Sequence, residues 1–137
     1  MITTIRRNCF ETNSSSSHSI SLSRNAAQFT SFEPDADGVV RLGSGEYGWG
    51  YDTFTSAWSK ADYAAIDFDS YDQATAALVE LIKIMTGAKA VEINVTGYID
   101  HQSIGIARNI YDNDGVEGLC NFIFNTGSTL TIDNDNH

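Results

Sequence analysis

Between Ser70 and Val95 the sequence writes a helix and a strand almost back to back, and this stretch constrains the fold more than any other. Ser70 and Gln73 have the spacing of a capping box, in which a hydroxyl and an amide each satisfy one of the unpaired first N–H groups of a helix. Ala74, Ala77, Leu78, Leu81, Ile82 and Met85 then recur at helical spacing, so a helix from about Tyr71 to Thr86 would carry one apolar stripe. Gly87 stands where a left-handed C-cap belongs. Beyond it Val91, Ile93 and Val95 alternate with Glu92 and Asn94, the period of a half-buried strand.

The rest of the chain can be organised around this step. Thr55 is placed to cap a helix through about Asp67, with Ala57, Trp58, Ala61 and Ala65 at helical spacing, and Val116, Leu119, Cys120 and Ile123 predict a third helix over 116–124. Short strands are expected at Met1–Arg6, around Ile20 and Leu22, at Val39–Leu42 and at Thr129–Ile132. Pro34 to Gly38 reads as a turn, and the five glycines between Gly38 and Gly50 mark an irregular loop that carries Tyr47, Trp49 and Tyr51. The expected fold is therefore α+β, a mixed or antiparallel sheet of about five short strands with two to three helices packed on one face. At 137 residues the chain is long enough for one core and not for two, so residues 1–137 are expected to form a single domain.

Composition excludes several classes of function. Apolar residues make up 42% of the chain and no run approaches a bilayer-spanning length, so a folded protein without a membrane segment is expected. Arg6 and Arg7 are followed by no apolar stretch or small-residue cleavage site, and Cys9 and Cys120 lack C-x-x-C spacing, both of which point to the cytoplasm. The net charge of −10 argues against direct nucleic-acid binding, whose affinity comes largely from Lys and Arg. The charge is uneven: Arg6, Arg7 and Arg24 face only Glu11 in residues 1–30, whereas residues 31–137 hold five bases and seventeen acids.

Two motifs lose their meaning in context. Gly43 to Gly48 matches G-x-G-x-x-G, but Trp49 and Gly50 do not open the helix whose N-terminus would hold a pyrophosphate. Asp112-Asn113-Asp114-Gly115 begins like a calcium loop, yet Val116 stands at the third ligand position and no glutamate closes the spacing, which leaves a turn.

The polar segment from Arg6 to Ser19 is different. Arg6, Arg7, Glu11, Asn13, Ser14, Ser15, Ser16 and His18 place two guanidiniums, an amide, several hydroxyls and an imidazole close together, a donor set suited to gripping a phosphate or carboxylate. The competing expectation is that Asn and Ser only satisfy their own backbone in a turn. Asp100, His101, Gln102 and Ser103 form a second polar cluster after the strand at 91–95. Adjacent Asp, His and Ser residues rarely face one another as a triad, so binding is favoured over hydrolysis. Histidines with Asp100 and Glu11 offer metal-ligand chemistry, but no spacing requires it, and neither metal nor cofactor is expected.

Four islands of sequence carry a resemblance. Arg6-Arg7 with Phe10 to Ser19, Gly45 to Trp49, Tyr98 to Ser103, and Phe122 to Asn125 with Asp133 to Asn136 together resemble a family of small uncharacterised proteins of bacteriophages and bacteria, mainly Firmicutes. The likeness implies a phage or bacterial origin and a cytoplasmic setting, and supplies no activity, cofactor or catalytic residue. Cys9 within the first island and Tyr47, where the family usually has Phe, are departures.

Three functional expectations follow. The Arg6–His18 segment and the Asp100–Ser103 loop would form one pocket for a small anionic ligand such as a nucleotide. Alternatively, an acidic surface of Asp62, Asp67, Asp69, Asp72 and Glu80 would dock on a basic host protein that handles nucleic acid or acts in defence. As a third class, the chain would be a virion or assembly component, in which case a homo-oligomer is expected.

Overall fold

The computed structural model describes residues 19–21, 28–48 and 50–133. Along the chain the elements are β1 (Ser19–Ser21), β2 (Val39–Leu42), β3 (Glu46–Tyr47), β4 (Tyr51–Phe54), α1 (Ala57–Asp67), α2 (Asp72–Thr86), β5 (Ala90–Ile93), β6 (Tyr98–Ile99), α3 (Ile106–Phe124) and β7 (Thr129–Asp133). A 3-10 turn, His101–Ser103, separates β6 from α3. The class is α+β. The expected strand at Met1–Arg6 lies outside the described residues.

The described strands do not join into one sheet, which corrects the expectation of a single layer. They form an antiparallel trio in the order β1-β7-β4, a parallel pair β2-β5 and a parallel pair β3-β6. The two parallel pairs are one ribbon interrupted by glycine. After β2 the chain turns at Gly43, whose φ of +117° is an angle that side chains disfavour. The Gly43 carbonyl accepts the N–H groups of Thr96 and Gly97 at 2.9 and 2.7 Å, and the Gly45 carbonyl accepts that of Tyr98 at 2.9 Å. At Gly97 a Cβ would stand 2.0 Å from the Gly45 carbonyl oxygen, so the two chains touch through backbone alone. Parallel strands need a long crossover, and here α1 and α2 supply it between β2 and β5.

Helix α2 confirms the apolar stripe. Ala74, Leu78, Leu81 and Ile82 are buried, and Gly87 closes the helix in the left-handed region at φ 78°. Each of these large aliphatic side chains contributes roughly 1.5–3 kcal/mol by leaving water. The capping box does not form: Ser70 itself has φ 69°, Tyr71 is the N-cap without a side-chain bond, and the Gln73 amide donates instead to the Tyr111 hydroxyl at 3.2 Å. At α1 the cap is Ser56, whose hydroxyl accepts from the Ser59 N–H at 3.0 Å, and not Thr55. Ala57, Ala61 and Ala65 are buried as expected, while Trp58 is 38% exposed.

Helix α3 runs longer than its sequence pattern, from Ile106, and absorbs the expected turn at Asp112–Gly115. Gly115, at φ 65° and ψ −150°, breaks the helical backbone there, so the stretch is two helical halves joined at a kink. The core is built by all three helices together with β2, β3, β6 and β7. Tyr63 of α1 meets Tyr47 of β3 edge-on at 5.4 Å and Phe122 of α3 at 6.3 Å. Cys120 is buried. No helix among the described residues is long and apolar enough to cross a membrane.

Candidate functional site

Of the residues singled out from the sequence, Arg6, Arg7, Glu11, Asn13, Ser14, Ser15, Ser16 and His18 lie outside the described residues. The second cluster is described in full. The Asp100 carboxylate accepts the Gln102 N–H at 3.0 Å and caps the 3-10 turn, while the Asp100 carbonyl accepts the Ser103 N–H at 2.7 Å. Ser103 is wholly buried, and its carbonyl accepts the Tyr63 hydroxyl at 2.5 Å. His101 and Gln102 are exposed. The turn therefore uses Asp100 and Ser103 to hold its own shape and presents His101 and Gln102 to solvent.

Strand register fixes where this turn sits. The Asp100 N–H donates to the Tyr47 carbonyl at 2.9 Å. Gly48 approaches so closely that a Cβ there would lie 2.4 Å from the Asp100 Cβ. Tyr51 begins β4 shortly after and pairs with Asp133, the last residue of β7. On the other side of β7, Ser19 begins β1 opposite Thr131. Strands β1 and β4 thus run in the same direction and both start at the end of the trio where β7 finishes. The 3-10 turn is bonded to the residues that lead into that same end. Tyr51, at the start of β4, is 68% exposed, and Tyr98, two residues before Asp100, is 41% exposed.

The charged residues of α1 behave differently. Lys60, Asp62 and Asp67 are all buried, at 0%, 0% and 2% exposure. Asp62 collects the N–H groups of Gly43, Ser44 and Gly45 at 2.7, 3.3 and 2.9 Å, together with the Tyr47 hydroxyl at 2.8 Å. Burial first, and then the Asp62 carboxylate, push the Tyr47 hydroxyl well above its ordinary range. The G-x-G-x-x-G stretch is therefore an anion-binding nest already filled by the protein's own aspartate.

Asp67 accepts the N–H groups of Gly105 and Arg108 at 2.7 and 3.0 Å and so caps the start of α3 from another helix. Burial raises its carboxyl above the ordinary value, and the N–H groups of Arg108 and Gly105 oppose that shift. Lys60 donates to the Ser128 carbonyl at 2.7 Å, with the Asn125 carbonyl at 3.5 Å, and burial lowers its amine to about 8. Asp62 and Asp67 are consequently absent from the expected acidic surface.

Asp69, Asp72 and Glu80 of that surface are exposed, Glu80 with the Lys83 amine 3.8 Å away. The first two lie where the start of α2 meets the middle of α3, together with exposed Asp112, which is not among the expected acids. The Tyr71 hydroxyl donates to Asp112 at 2.6 Å, and Tyr71 and Tyr111 pack edge-on at 5.8 Å. Arg108 is the nearby base, and its guanidinium donates to the carbonyls of Asp67 and Asp69 at 2.5 and 2.8 Å.

Sequence reasoning passed over Lys60, Asp62 and Asp67 as structural groups. The available signal was Gly43-Ser44-Gly45, a run of N–H groups outside any strand that needs an acceptor. No group of three or more His, Cys, Asp or Glu among the described residues is arranged to hold a metal ion. No protein-family model, curated protein or solved structure matches this chain.

Proposed function

We propose that the protein binds a small anionic ligand, a nucleotide being the preferred class, at the end of the trio where β1 and β4 begin. Arg6, Arg7 and the Ser14–His18 run would supply the phosphate donors, and His101 and Gln102 would complete the site from the 3-10 turn. The observation that carries the reading is the shared end: β1 starts opposite Thr131, β4 starts opposite Asp133, and the turn that exposes His101 and Gln102 is bonded to Tyr47 just before β4. Exposed Tyr51 and Tyr98 suit a ligand with a base to stack, a contact contributing about 1–3 kcal/mol per base. Asp100 and Ser103 shape the turn in this scheme and do not contact ligand.

The test is thermal unfolding against a panel of nucleotides and inorganic phosphates. A ligand at one hundred times its Kd stabilises by about 2.7 kcal/mol. At least one nucleotide should raise the melting temperature of the wild type, and Arg7→Ala should lose that rise while melting unchanged without ligand. A flat response over the whole panel would sink the reading.

A second reading rests on a different observation. The exposed acids Asp69, Asp72 and Asp112 gather around Tyr71 and Tyr111, and the Arg108 guanidinium beside them is already committed to backbone carbonyls. Such a face suits a basic protein partner, in keeping with a phage-type cytoplasmic accessory role. A partner captured at low salt from bacterial lysate should be released as salt rises, and Asp112→Asn should weaken its capture.

A further inference from the structure

We draw no further inference here: the strongest candidate, the acidic and aromatic patch of Asp69, Asp72, Asp112, Tyr71 and Tyr111 where the start of α2 meets the middle of α3, belongs to the second reading already given, and nothing else in the structure shows what covers it.

Discussion

Helix α1 and the 3-10 turn after β6 each hold an acid within two residues of a basic side chain, Lys60 with Asp62 and Asp100 with His101, and they use them in opposite ways. In α1 the charges are enclosed, and each is spent on the backbone of a different segment. Asp62 holds the loop after β2, Lys60 holds the turn before β7, and Asp67 holds the start of α3. In the 3-10 turn Asp100 satisfies the local backbone, which leaves His101 and Gln102 exposed. The contrast teaches that charge in this chain does not mark the surface. A polar side chain is available to a ligand where a neighbour has already satisfied the backbone around it.

The largest effect expected from this contrast is at Asp62. Asp62→Ala strands the buried N–H of Gly43 and removes the acceptor of the half-buried Gly45 N–H, at roughly 1–3 kcal/mol for each buried group left unsatisfied, while the Tyr47 hydroxyl keeps the Ser59 carbonyl at 2.9 Å. Urea denaturation should show a loss of about 2 kcal/mol or more, and a loss under about 1 kcal/mol would mean that the nest is not what holds the loop.

Next comes the pH dependence set by Lys60. Its folded value, about 8, lies below the ordinary 10.5, so between those values the unfolded chain keeps a proton that the folded chain has released. Stability should therefore rise with pH across that window. Above about pH 10 Tyr47 and Tyr63, whose hydroxyls are both pushed upward in the fold, contribute the opposite slope. Lys60→Met should remove the rise below pH 10 and leave the later decline. An unchanged profile would show that the amine is not enclosed.

Asp67→Ala should be milder, about 1–2 kcal/mol, the range of a lost helix cap. The loss should appear as faster amide exchange at Gly105 to Arg108, whereas uniform exchange across α3 would argue against a local cap. The smallest effect on stability is expected at the exposed turn, where His101→Ala should change unfolding by less than about 0.5 kcal/mol while lowering ligand affinity.

The sequence made the α+β class, the apolar stripe of α2 and its left-handed glycine cap legible, because each depends on local spacing. It also marked Asp100 to Ser103 as one polar cluster in a loop, because these residues stand together in the chain, but not that His101–Ser103 form a 3-10 turn. The division of the strands was hidden, since Gly43 and Gly97 act through contact between segments far apart in sequence. The same reason concealed the α1 charges. Ala57, Ala61 and Ala65 announce a buried stripe, but nothing within α1 says that Lys60, Asp62 and Asp67 are also buried, because their partners lie at Ser128, Gly43 to Gly45, and Gly105. Ser70 and Gln73 show the converse: their capping spacing is present, and the left-handed Ser70 and the reach of Gln73 to Tyr111 override it.

The division between enclosed and available charge is tested most directly by amide-shift mapping of the isotopically labelled full chain as a nucleoside triphosphate is added. Saturable shifts should centre on Asp100 to Gly105 and on the residues preceding Ser19, with the amides of Tyr71 and Asp112 unmoved. Shifts confined to the α2–α3 face, or none at millimolar ligand, would contradict the assignment of the exposed turn as the binding site.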